Sequence, residues 1–403
     1  MKKLSIPQLF TLNAYWLGQS FLWNCLHPII LPAILLNYVA DERKNTVLGL
    51  LTFAGLVLAM VVQPLVGARS DSFSSRWGRR RPFVVAGTLV NIIFLSIIAY
   101  SGGIFWLIVG YFGLQISSNF AQAPMQGLTP DRVPKEQMGS SASIQTLFEM
   151  LALVLATLLA GRLMDSATGD ASRILGVIIV VMLVATSVTV FGTRESPSPS
   201  GRGARGEGEI NTSYIFLIAQ RGLFLLGAYG VQAFAQYYLQ DVLRVPDPPK
   251  QTGDLLAAIV GGLILLVPIG GWLTDRYGAK RVLYAASILT TLGLLLMYFA
   301  RDMSTLTIFA IILGAGVGLF LTSNWALANT LAPTAQAGKF LGLANLATAG
   351  ANALARLEGP AIDALNAAAP GKWHGYTALF MFGALCTFAS MFLLGRIQVP
   401  EKM

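Results

Sequence analysis

The groups able to do chemistry in this chain are carboxamides and aromatic rings, with few acids, bases or thiols among them. There are two histidines and two cysteines, Cys25 and Cys386, in 403 residues. Neither cysteine has a partner at a metal-binding or redox spacing, and no Gly-x-x-x-x-Gly-Lys-Ser/Thr phosphate loop occurs. Nothing calls for a cofactor or a metal, and enzymatic catalysis is disfavoured. Amides instead gather beside tryptophans: Trp16, Gln19, Trp23 and Asn24; then Gln115, Asn119 and Gln122; then Gln232, Gln236 and Tyr237; then Asn324 and Trp325. Each amide offers donors and acceptors, which suits hydroxyls that are themselves both. An indole offers a flat apolar face to a sugar ring. The inventory favours a neutral polyol over an anion, which would want Arg or Lys.

The elements that hold these groups must cross a membrane. Hydrophobic residues make up 55% and charged residues 12%, against about 25% charged in soluble domains. Mean hydropathy is +0.64. A bilayer core needs about 20 helical residues. Twelve segments qualify, near 9–36, 46–69, 82–101, 104–129, 139–165, 174–192, 213–240, 252–274, 282–300, 304–331, 339–363 and 374–395. The first is too long for a cleavable signal. The net charge of +9 therefore reports topology and not nucleic-acid binding. Basic residues concentrate on one set of loops, placing both termini in the cytoplasm. A Ser-, Pro- and Gly-rich stretch at 193–212 reads as a flexible linker. It divides residues 1–192 from residues 213–403, six spans each.

The halves share a signature. Gly67-x-x-x-Asp71 precedes Arg76-Trp77-Gly78-Arg79-Arg80-Arg81, and Gly271-x-x-x-Asp275 precedes Arg276-Tyr277-Gly278-Ala279-Lys280-Arg281. Duplicated six-helix units are the building blocks of alternating-access carriers. The paired loops resemble those of the major facilitator superfamily. The first copy, Gln63-Pro64 through Ser75-Arg76-Trp77-Gly78-Arg79-Arg80-Arg81-Pro82-Phe83, is similar to that of the sucrose/proton symporters, near the glycoside–pentoside–hexuronide carriers.

The resemblance implies an all-α membrane fold of twelve helices, in two six-helix bundles related by a pseudo-twofold axis. Spans 1, 4, 7 and 10 would line a central cavity, the spans that carry most of the amides. Asp71, with Arg79 or Arg80 and with Asp131 ending span 4, would latch the inner gate. Asp275 and Arg276 would be their counterparts, although span 10 ends without an acid. Gly67 and Gly271 would let another helix pack close. In the symporters the position of Gln115 is an aspartate linked to proton coupling and that of Gln126 an arginine, so that coupling site is missing here.

Of the other ionisable residues within the spans, which include Arg221 early in span 7, three are candidates to couple a proton: Glu149, in the middle of span 5, and Arg356 and Glu358 in span 11. Glu149 is the leading candidate by depth, and pairing with a cation such as Arg356 is its alternative fate. The resulting expectation is a monomeric carrier of a sugar-like solute in the plasma membrane, with symport, uniport and antiport all open. An exporter of drugs or other small organic molecules, and a non-transporting sensor or assembly protein on the same fold, remain alternatives.

Overall fold

The computed structural model describes residues 3–73, 75–134, 137–165, 168–193, 212–331 and 337–398. Within them the backbone is helical apart from loops and one isolated bridge, Asp165 to Asp170. The first span is broken into α1 (Ile6–Asn13), α2 (Tyr15–Cys25), a π-helical turn (Leu26–Ile30) and α3 (Leu31–Leu35). Pro28 has no N–H to give the preceding turn, which widens around His27.

Unbroken helices follow: α4 (Lys44–Ser72), α5 (Arg81–Ala99), α6 (Ile104–Arg132), α7 (Met138–Leu163) and α8 (Ser172–Gly192). Beyond the linker come α9 (Thr212–Asp241), α10 (Pro248–Tyr277), α11 (Ala279–Phe299) and α12 (Met303–Leu331). The eleventh span is also interrupted, as α13 (Ala337–Arg356) and α14 (Glu358–Ala368), before α15 (His374–Gly395). Pro360 cannot donate to the carbonyl of Arg356, four residues back, which accounts for the break at Leu357. Ten of these helices are long and apolar enough to cross a membrane. The two interrupted spans complete the twelve.

The chain divides into two compact units, residues 1–39 with 51–202 and residues 40–50 with 203–403. The linker expected at 193–212 lies, from 194 to 211, outside the described residues. In the first unit Leu9, Leu12, Tyr15 and Trp16 pack on Met125, Leu128 and Val190. In the second, Phe224 of α9 stacks on Phe320 of α12 with ring centroids 3.6 Å apart, worth about 0.5–1.5 kcal/mol beyond burial.

Both signature loops turn on a glycine in the left-handed region, Gly78 at φ 107° and Gly278 at φ 87°. An L side chain would be strained there, which explains why the loops share this residue. Pro82 then starts α5 in the first helical turn, where its missing N–H costs nothing. Helix α10 starts on Pro248 and Pro249, with Asp247 accepting from the Lys250 amide at 3.1 Å. Asp302 caps α12, and hydrogen bonds from the Thr305 amide and hydroxyl hold its carboxyl below the usual range.

Among the described residues a Cβ on Gly67 would meet nothing within 4 Å, and one on Gly271 only Thr322 Cγ2 at 3.9 Å. Close helix packing falls elsewhere, where Gly87 meets Ser117 and Ala121, and Gly314 meets the backbone of Ile259.

Candidate functional site

Spans 1, 2 and 4 of the first unit bring their polar groups together in two sets. Tyr15 OH donates to Gln19 Oε1 at 3.2 Å, and Gln19 Nε2 donates to Ser118 Oγ at 2.7 Å and Gln122 Oε1 at 2.9 Å. In the second set Gln63 Nε2 donates to Asn119 Oδ1 at 2.7 Å, and Asn119 Nδ2 to Gln115 O and Oε1 at 2.7 and 3.3 Å. Gln115 Nε2 donates to Tyr111 OH at 2.8 Å, which lies 3.1 Å from His27 Nε2. Trp23 lies over the His27 ring, centroids 4.8 Å apart. Gln19, Gln115 and Asn119 are buried, Gln122 and Trp23 only partly.

Gln63 and Tyr111 are additions to the expected residues. Gln63 belongs by sequence to the loop signature, and Tyr111 sits one turn before Gln115. Asn24 turns back onto its own helix, donating to Ser20 O at 2.8 Å. Trp16 is 6% exposed inside the core of the unit, so it serves packing and not ring stacking. Asn91 of α5 accepts from Ser117 at 2.5 Å, a bond that ties two helices together.

The loop charges of the first unit assemble around Arg80. Its Nη2 lies 2.8 Å from Asp71 Oδ1 and its Nε 2.6 Å from Asp131 Oδ2, while Arg79 Nη2 lies 2.7 Å from the same Asp131 oxygen. Sequence alone leaves open which arginine links the acids; both reach Asp131, and Arg80 bridges to the Asp71 carboxylate. Gly127 of α6 makes this possible, because a Cβ there would overlap the Arg80 guanidinium. The second copy is built differently. Asp275 is exposed and makes no ion pair among the described residues. Arg276 lies over the rings of Trp272 and Tyr277 at 5.2 and 5.5 Å.

In the second unit both ends of the Asn324 amide are engaged. Its Oδ1 accepts from Arg221 Nη1 at 2.6 Å and its Nδ2 donates to Gln220 Oε1 at 3.1 Å. Arg221 also donates to Thr348 Oγ1 at 2.9 Å and lies 4.5 Å over the Trp325 ring. The Asn324 amide therefore orients a buried guanidinium and retains one N–H and one acceptor lone pair beyond these two bonds. Gln236 and Tyr237 are buried, Gln232 partly so.

A further cluster joins the start of α4 to α9, α14 and α15. Lys44 Nζ lies 2.6 Å from Asp241 Oδ1, and Tyr376 OH donates to Asp241 Oδ2 at 2.6 Å. Asp363 accepts from the Asn45 side chain at 2.8 Å and the Thr46 amide at 2.6 Å.

The intramembrane acids differ in company. Glu149 accepts from Gln145 at 2.8 Å and makes no ion pair among the described residues. Arg356 Nη2 donates to Asn352 Oδ1 at 3.3 Å. Both carboxyl oxygens of Glu358 are buried with no hydrogen-bond partner among the described residues. They sit against Gly230, where a Cβ would collide with them. No cluster of three or more His, Cys, Asp or Glu suited to a metal occurs among the described residues.

Twelve apolar spans, duplicated turn loops and amides buried inside the helices define an integral membrane protein built from two six-span halves. The Major Facilitator Superfamily profile matches residues 17–355 and 226–402, and the chain belongs to that superfamily. It is 25% identical over 186 residues to Sucrose transport protein SUC3 of Arabidopsis thaliana, covering 38% of this chain and 31% of the relative. It is 22% identical over 293 residues to the Glucuronide carrier protein homolog of Escherichia coli (strain K12), covering 67% and 63%. The match thus spans under a third of the first relative's length and under two thirds of the second's. The fold is similar to that of the POT family transporter PepTSo, with TM-score 0.76 at 14% identity over 98% of both chains.

Proposed function

We propose that this chain is a secondary carrier that moves a sugar or glycoside across the plasma membrane by alternating access, with both termini cytoplasmic. One observation carries the reading. The hydrogen-bonded sets on spans 1, 2 and 4 contain amides, hydroxyls and aromatic rings, and neither a carboxylate nor an Arg or Lys. A hydroxyl-rich solute can exchange with such bonds one for one, each worth on average ~0.6 kcal/mol inside a membrane bundle, so binding stays reversible. A sucrose transport protein and a glucuronide carrier homolog among the relatives support the solute class. The Asp71–Arg80–Asp131 chain is the element we assign to the inner gate, as a set of ion pairs with two discrete arrangements.

A second observation favours proton coupling through Glu358. A buried carboxyl with no hydrogen-bond partner among the described residues, which has only the charge of nearby Arg356 to offset burial, is tolerated more readily when neutral than when ionised. Movement between that site and water would therefore carry a proton with it. Gln115 cannot do this, and Glu149 already has an amide partner.

A thermal-shift screen of purified protein against mono-, di- and trisaccharides tests the solute class, because a ligand of the folded state raises the unfolding midpoint. The expected result is a saturable rise with one sugar class that Gln122→Ala and Asn119→Ala abolish. A rise only with lipophilic dyes would favour the exporter. Absence of any ligand or flux in proteoliposomes would favour a non-transporting role.

A further inference from the structure

The first loop carries four arginines, and the gate uses two of them. Arg79 and Arg80 reach carboxylates, and Arg76 and Arg81 are among the residues that line a cavity of about 630 Å³ in the same unit. Its mouth is formed by these two side chains and Trp77. Its walls come from the two helices behind the mouth: Val85 and Leu89 on α5, Leu183 and Phe191 on α8. Thr88 and Thr186, 3.2 Å apart, hold the helices together there.

The groove is thus cationic at one end and apolar along its length. Its rim is apolar too, with Trp77 68% exposed and Phe191 85% exposed. Aromatic side chains so placed belong at a membrane–water interface. Both flanking helices are apolar enough to span a bilayer. A basic pocket at the end of two such helices fits an anionic lipid headgroup, with the acyl chain lying along the apolar walls.

We propose that this groove binds one anionic phospholipid, its phosphate between Arg76 and Arg81 and its chain against α5 and α8. The site depends on the membrane placement of the helices and not on the identity of the solute. Because the same loop supplies Arg79 and Arg80 to the gate, an occupied groove would steady the segment that carries the ion pairs.

Native mass spectrometry of the full chain in detergent tests this, with phosphatidylglycerol and phosphatidylcholine of identical chains as probes. Two arginines at the surface should favour phosphatidylglycerol by roughly 25-fold, about fivefold for each charge. Arg76→Gln with Arg81→Gln should reduce the preference below about twofold, and Arg76→Lys with Arg81→Lys should keep most of it. Arg76 is exposed, so Arg76→Gln alone leaves the fold intact and should lose about fivefold. Equal retention of the two lipids by the unaltered protein would overturn the proposal. So would a preference unchanged in Arg76→Gln, or displacement of the lipid by inorganic phosphate at matched ionic strength, which would mark a free-anion site.

Discussion

Arg80 holds two carboxylates at once, and only because Gly127 leaves the space. Asp131 is the inner of the two, its side chain 27% exposed against 61% for Asp71. Surface pairs are worth about 0–1 kcal/mol, so at the proposed gate these bonds would bias the equilibrium without locking it. Asp131→Asn should slow transport by about fivefold, the equivalent of roughly 1 kcal/mol, with solute affinity kept within about twofold; proteoliposome flux beside a binding isotherm measures both. Gly127→Ala should reproduce that loss by pushing the guanidinium off Asp131. Because both changes remove the Arg80–Asp131 contact, the losses in the double variant should be less than additive. Additive losses would show that Gly127 serves packing alone. The arginines and both acids are legible in the sequence. Gly127 is not, because its importance comes from a side chain 47 positions away in sequence that only the folded loop delivers.

The start of α4 poses the corresponding question for an element. Residues 40–50 open a span of the first half by sequence, yet they group with the second unit. Their anchors are Lys44 on Asp241 and Asn45 with Thr46 on Asp363. Lys44 and Asp241 have side chains only 3% and 7% exposed, so each neutralises a charge that would otherwise be stranded. Removing one member of such a pair costs about 3–5 kcal/mol, while replacing both by apolar groups can be neutral. Lys44→Ala should therefore lower the thermal midpoint in detergent far more than Lys44→Met combined with Asp241→Leu. A single variant as stable as the double would remove the pair from the account. Spans declare themselves by apolar length, and the loop turns by a glycine that both copies need for a positive φ. An ion pair 197 residues apart leaves no local pattern, and the interruption at Leu357, three residues before Pro360, falls inside the single span expected at 339–363.

For the molecule as a whole, the duplicated loop signature made two six-span halves readable, but the halves are not equivalent in chemistry. The first gathers neutral amides and a closed set of loop ion pairs. The second holds the buried Arg221, Arg356 and Glu358, with Asp275 left in the open. Sequence depth favoured Glu149 as a proton carrier because it lies mid-span. Depth says nothing about company, and Gln145 supplies Glu149 with a hydrogen bond that Glu358 lacks. If a solute and a proton cross together, the carboxyl without a hydrogen-bond partner among the described residues has the most to gain from carrying one. Acidifying the outside of proteoliposomes should then raise the rate and extent of uptake by the unaltered protein, as protons enter with the solute. Glu358→Gln keeps the shape and the neutral form, so it should still exchange solute across the membrane at equal pH, while uptake no longer responds to a pH gradient. Glu149→Gln should leave that response in place. The opposite pattern, with the gradient response lost in Glu149→Gln and kept in Glu358→Gln, would move coupling to the first half, and loss of exchange in both would make these acids structural.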